Sequence, residues 1–412
     1  MRDQIKNKNS KNISRRKFLT VAALGGAAAG ALGFPNVARV RAAKPVKLKI
    51  QTAWEGGTLG YLKFQEFCKN VRKMSNGILQ VEGYPAGTIV ETFEMFDAVK
   101  ARVFDGMLCF DAYWTAKIPV AAFLSSYPFG LDRPDQWETW YNALGGKDLA
   151  REAFSQHNMH YIGPIQQGEN LIHAKVPIRS FEDFKGKKIK CFGGITADFF
   201  RAIGAIPVPL PGKDVHPTID QDDIDALYYG GAAINASSRY SDTAKYIIAD
   251  TPAAACLHRQ VNIMSIAINK RTWKMIPEPL QLLFEAAVAQ YSYDQYAAFQ
   301  KADMEAFEKL QKTEDFSDAV EKQSKNQPGS NKPANETTEE LQIGQDIEII
   351  HLNESDIEKF KRFAPAMWVK WAKKSPLAMK AFKSQLAFLK SKNLGYITDE
   401  GLVDLDGKKL VY

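Results

Sequence analysis

Residues 184–200 read FKGKKIKCFGGITADFF. Basic and apolar residues alternate up to Lys190 and Cys191, the chain breaks at Gly193-Gly194, and an apolar segment of helical spacing follows. Period-two alternation, a glycine pair and a 3.6-residue period predict a strand, a turn and a helix start. Such junctions hold ligands in α/β proteins, so Lys190, near the end of the strand, is the first candidate for a binding role. A plain alternative is a solvated lysine at a strand end.

The same kind of pattern extends on both sides. VKLKIQTAW (46–54) reads as a strand, and Leu62, Phe64, Phe67, Cys68, Val71 and Met74 then fall on one helical stripe. ILQVEGYPAG (78–87) is the next strand, and ETFEMFDAVKARVFDGMLCF (91–110) is a short helix leading into a third. A second unit begins near MHYIGPI (159–165) and runs through KGKKIKCFGG, IDALYYGG and VNIMSIAIN. This alternation predicts an α/β fold with largely parallel sheets. Two lobes, at 43–158 and 159–275, would face each other across a cleft.

Composition adds exclusions. The chain has 412 residues, 45% hydrophobic and 25% charged, ordinary for a globular protein of more than one domain. Its +7 net charge is local: residues 1–42 hold nine Lys or Arg against one Asp, so the remainder is close to neutral. No basic patch interleaved with aromatics remains to suggest nucleic-acid binding. The leader, NISRRKFLTVAALGGAAAGALGFPNVARVRAA, has a basic start, an apolar stretch from Val21 to Phe34 and a small-residue exit at Val40-Arg41-Ala42. That stretch falls short of the roughly 20 residues needed to span a bilayer, so it reads as a signal peptide cleaved near Ala42. Ser14-Arg15-Arg16-Lys17-Phe18-Leu19 resembles a twin-arginine export motif; a general secretory signal carrying two arginines is the alternative. Cys68, Cys109, Cys191 and Cys256 form no CxxC pair, leaving one disulfide in an oxidising compartment or four buried thiols.

Beyond Pro279, no Gly or Pro occurs up to Leu310 and apolar residues recur at helical spacing, predicting a long helix over 276–311. Such a helix would brace both lobes or link a partner subunit. Residues 312–340 are polar and charged, as in a solvated or flexible insert. QDIEIIHLNESDIEKFKRFAPAMWVKWAKK (345–374) then gives a strand and a helix, opening the 341–412 region. Asn353, Ser355 and Asp356 are the cap candidates, and Ala364-Pro365 should kink or interrupt this helix. The six histidines show no HExxH spacing, and the mature chain has no GxSxG elbow, Walker loop or GxGxxG after a strand. These signatures give no support to an enzyme.

Four segments in order resemble one family. EFCKNVRKMSNGILQVEGYPAGTIVETFEMFDAVKARVFDG (66–106), KVPIRSFEDFKGKKIKCFGG (175–194), KDVHPTIDQDDIDALYYGG (213–231) and EIIHLNESDIEKF (348–360) are similar to the solute-binding subunits of tripartite ATP-independent periplasmic (TRAP) transporters, the DctP-like family. The resemblance implies a two-lobe periplasmic binding-protein fold closing on one small organic solute, usually a carboxylate; a receptor for a neutral or aromatic solute, or an exported enzyme on the same scaffold, is the alternative. It implies delivery to the small and large membrane subunits of a permease driven by an ion gradient. The long helix matches the family's and would support a homodimer, as in some members; the 312–340 insert departs from the pattern.

The resemblance also implies residue roles. Lys190 stands where the family has an Arg that clamps the ligand carboxylate, so it would serve as the anion anchor without the Arg fork. Glu169 stands where relatives carry Arg or Gln. A carboxylate there calls for an intervening positive group, either a bound sodium or calcium ion or an ammonium on the solute; a surface ion pair with Lys190 or Arg179 is the plain alternative. Leu227-Tyr228-Tyr229 replaces the acidic residue and Trp that hold a metal in 2-oxo-acid binders, so that site does not carry over intact. Tyr228 and Tyr229 would supply hydroxyls and a ring wall instead. Trp54, Tyr113 and Trp114 are ligand-facing aromatics or core; Gln166 and Gln167 lie near the cleft edge. Arg259, and less so Arg239, would compensate for the missing Arg.

Overall fold

In β1 (Val46–Thr52) Lys47 and Lys49 are exposed while Leu48 and Ile50 are buried, as the alternation predicts. The computed structural model describes residues 45–412 apart from 222, 238–239, 241–242, 250–260, 324–346, 392–396, 398–401 and 405–407. The leader, Cys256, Arg239 and Arg259 therefore lie outside the described residues.

The other strands are β2 (Leu79–Tyr84), β3 (Gly106–Phe110), β4 (Met159–Gly168), β5 (Ile172–Ala174), β6 (Lys188–Cys191), β7 (Ile206–Pro209), β8 (Ala226–Tyr228), β9 (Tyr246–Ala249), β10 (Asn262–Asn269) and β11 (Glu348–His351). They form a five-stranded sheet, β2-β1-β3-β10-β4, and a six-stranded one, β11-β9-β5-β8-β6-β7. The α/β two-lobe expectation holds, but the sheets are mixed and not largely parallel. β10 runs antiparallel to β3 and β4, and β5 runs antiparallel to β8 and β9. β10 brings the chain back from the second sheet and so enters the first from the opposite end.

Sheet membership also differs from the sequence boundary at 158. β4 and β10, which sequence order assigns to the second lobe, hydrogen-bond into the first sheet. Pairing between strands about a hundred residues apart is non-local and leaves no trace in periodicity. The chain passes from the first sheet to the second across residues 169–171, between β4 and β5.

The predicted long helix is Glu278–Gln323, running past the expected end at 311 into the polar segment. Near its start Phe284 and Tyr291 pack on Phe67 of the Leu59–Met74 helix, with ring centroids 5.7 and 4.9 Å apart. Further along, Ala306 joins Leu171, Ala232, Ala233, Ile247 and Ile347 in a core of the second lobe. One rigid rod thus touches both lobes. On the Leu59–Met74 helix, Phe64, Phe67, Cys68 and Val71 are buried as the stripe predicts, whereas its ends Leu62 and Met74 are about half exposed.

The Glu354–Ala372 helix is capped by Asn353, whose Oδ1 accepts from Asp356 N at 2.9 Å. It continues through Pro365 without interruption, against expectation. A proline inside a helix costs about 3 kcal/mol; here burial of Phe360, Ala364, Pro365 and Trp368 on the same element offsets it. Trp368 Nε1 donates to Pro128 O at 3.0 Å, and Gln385 of the Pro376–Lys390 helix bonds Tyr127 and Phe123, so the C-terminal region returns to the first lobe. Cys68, Cys109 and Cys191 are buried. No described helix is long and apolar enough to cross a membrane.

Candidate functional site

Four strand ends converge. After β1 the chain turns at Trp54-Glu55, fixed by Ala53 N donating to Leu108 O (2.9 Å) and by Thr58, whose hydroxyl donates to Glu55 O (2.8 Å) while it caps the next helix. β3 ends at Phe110, followed by Tyr113. β6 carries Lys190 to its edge, and Phe192 follows before Gly193 and Gly194, both at positive φ (89° and 61°). Two successive residues in that region suit glycine. β8 delivers Tyr229. Two elements come from each lobe.

Lys190 is fully buried. Its Nζ lies 3.8 Å from the Tyr229 ring centroid and 4.4 Å from that of Phe192. Ring faces attract a cation, most strongly when it is desolvated. Across the junction, both carboxylate oxygens of Glu55 are buried and, among the described residues, accept no hydrogen bond from any other residue. Burial pushes this carboxyl up to about 7, against the opposing pull of a backbone hydrogen bond and the Lys190 charge. A Cβ built on Gly212 would run into both Tyr229 Oη and Glu55 Oε1, so these oxygens sit side by side over bare backbone. Tyr240 holds that backbone by donating to Gly212 O at 3.0 Å. The Tyr229 and Tyr113 hydroxyls are buried without partners, and burial raises both pKa values. The arrangement offers one ammonium, one carboxylate and two hydroxyls within an aromatic wall. It can hold a small polar molecule and has no nucleophile paired with a base.

The structure thus brings together Lys190, Tyr229 and Tyr113. Trp54 forms part of the wall: it is fully buried between Phe110 (5.6 Å) and Phe299 (5.8 Å) and pressed against Gly60. Trp114 packs on Phe96 in the core. Tyr228, one residue before Tyr229, packs on Phe200 and meets Asn170 Nδ2 at 3.5 Å. Gln167 Oε1 accepts from Asn262 at 3.2 Å, while its Nε2 is buried without a partner. Gln166 turns to Glu138, at 2.6 Å.

Glu169 directly follows β4. It is half-buried, and its charge acts on Tyr296 and Asp303 of the long helix. Burial, then Glu169, raises the Asp303 carboxyl to about 7, while Asp303 Oδ1 accepts from Ala233 N at 2.8 Å. Arg179, the other suggested partner of Glu169, forms a fork with Glu348. No group of three or more His, Cys, Asp or Glu suited to a metal occurs among the described residues.

Sequence reading missed Glu55, Phe192, Gly212 and Tyr240. For Glu55 a signal existed: an acid between an aromatic and Gly56-Gly57 at a strand end. Beneath the site Asp111 is fully buried; Ser265 donates to its Oδ1 at 2.6 Å, Oδ2 has no partner, and burial lifts the carboxyl to about 8. A raised carboxyl favours folding below its unfolded value and loses that contribution as pH rises through the folded one. Asp111→Asn is therefore expected to raise Tm by an increment that grows from pH 5 to pH 8. An increment independent of pH would mean that Asp111 is not buried as a titrating acid.

Residues 50–327 match the family described as bacterial extracellular solute-binding protein, family 7. A monocarboxylate 2-oxoacid-binding periplasmic protein of Nostoc sp. is 23% identical over 305 residues, which span 72% of this chain and 81% of that protein. A TRAP transporter solute-binding protein from Bordetella bronchiseptica, solved with calcium and picolinate, is 18% identical with a TM-score of 0.70, covering 85% of this chain and 93% of its own. Another, from Colwellia psychrerythraea with calcium and pyruvate, is 18% identical at the same TM-score, covering 85% and 95%. At such identities the structural likeness speaks for the fold.

Proposed function

The chain belongs to the bacterial extracellular solute-binding proteins of family 7, and from that premise we propose that it closes on one small organic carboxylate and delivers it to the membrane subunits of a TRAP permease. The family and fold are those of transport receptors, not enzymes. The observation that carries the carboxylate is the buried Lys190 ammonium at the meeting of the two sheets. A buried ammonium offers a ligand carboxylate a charge-assisted hydrogen bond in a site shielded from water. Pyruvate, picolinate and malonate bound to structural relatives support this class.

The calcium of some relatives does not fit this cluster. This cation takes six or more oxygen ligands, whereas here one carboxylate faces an ammonium. Glu169, also proposed as a metal ligand, acts on Asp303, whose Oδ1 already accepts a backbone N–H, and no group of three or more metal-ligating side chains occurs among the described residues. The basic, apolar and small-residue order of residues 1–42 supports export to the periplasm by the twin-arginine route. Exposed Leu282, Tyr293 and Met304 on the long helix support pairing with a second copy.

A thermal-shift screen of residues 43–412 against small carboxylates, sulfonates and neutral analogues, each with calcium and with chelator, tests the reading. Ligand at a hundred times Kd adds about 2.7 kcal/mol to folded stability. Carboxylates are expected to raise Tm equally with calcium and chelator. Shifts confined to neutral compounds contradict the carboxylate reading, and calcium-dependent shifts restore a metal bridge.

A further inference from the structure

We propose that Glu55 is the second pole of the site and selects a ligand with a protonated nitrogen as well as a carboxylate, a small zwitterion. The inference rests on the carboxylate reading above and adds a requirement to it. Both Glu55 oxygens are buried, no other described residue donates to either, and Gly212 leaves bare backbone where any side chain would collide with Oε1. A buried acceptor left unmade is costly, so a ligand that donates to it is favoured over one that cannot. The groups acting on Glu55 are Lys190 and Asp214, and those on which it acts in turn are Tyr113 and Tyr229. With Glu55 ionised, above its value of about 7, Lys190 and Glu55 together are neutral. A simple carboxylate would leave the closed site with an unpaired negative charge, whereas a zwitterion pairs all four charges. The surrounding rings of Phe110, Phe192, Tyr113 and Tyr229 also favour a cation.

The test uses isosteric pairs that differ only in the nitrogen: alanine with isobutyrate, proline with cyclopentanecarboxylate, pipecolate with cyclohexanecarboxylate. Thermal shift ranks them, and calorimetry at pH 6 and pH 8 measures the best pair. The nitrogen-bearing member is expected to bind at least ~10-fold tighter than its partner. Because Glu55 titrates near 7, its affinity should rise roughly 10-fold from pH 6 to pH 8. In Glu55→Gln, with Tm checked to confirm folding, affinity for the nitrogen-bearing member should fall about 10- to 100-fold and the pH dependence should flatten. Equal binding of both members, tighter binding of the nitrogen-free one, or unchanged affinity in Glu55→Gln overturns this inference while leaving the carboxylate reading intact. No response from either member of any pair counts against both.

Discussion

Lys190→Met is expected to weaken binding of the best carboxylate by about 1.5–3 kcal/mol, roughly 10- to 150-fold, the range for a hydrogen bond to a charged group. The side chain ends 3.8 Å from the Tyr229 ring centroid with no exposed surface, so the substitution keeps the packed stem and removes only the charge. The Glu55 carboxyl, already pushed up to about 7, can take up a proton when the ammonium is removed, so Tm of the ligand-free variant at pH 6 should hold. The two readouts move apart only if Lys190 serves the ligand. A drop in Tm with unchanged Kd would make it a structural lysine and shift the anchor to Arg259, beyond the described residues.

Trp54→Ala is expected to cost about 3–5 kcal/mol of folding stability, as for other fully buried aromatics. Trp54 has no exposed surface, meets Phe110 and Phe299 edge-on, and leaves no room for a Cβ on Gly60. Phe299 belongs to the long helix, so truncation loosens the first sheet from its brace. Chemical denaturation measures this directly. A small stability loss with a large loss of ligand affinity would instead place Trp54 against the solute.

Both residues were visible in the sequence, for different reasons. Lys190 was marked by local grammar, since alternation before Gly193-Gly194 predicts strand, turn and helix, and all three are present. Asn353 was equally legible, because capping depends on three neighbouring residues. Glu55 carried only a faint local signal, beside Gly56-Gly57, because its significance lies in Lys190, Gly212 and Tyr229, more than 130 residues away. For Glu169, chain spacing from Lys190 suggested a place by the ligand, while its action on Tyr296 and Asp303 depends on the long helix packing on β4, which spacing does not encode. β10 returning between β3 and β4 set both the sheet directions and the lobe boundary, and periodicity does not encode strand partners. Pro365 warned of a broken helix, and tertiary burial overrode it.

The most direct test of the central claim is a crystal structure of residues 43–412 with the tightest-binding probe. The account predicts the ligand carboxylate within hydrogen-bond distance of Lys190 Nζ and its nitrogen at Glu55, with the Tyr113 or Tyr229 hydroxyl as a further partner. A ligand bound beside Glu169 and Asp303, or one that leaves Lys190 untouched, would contradict it.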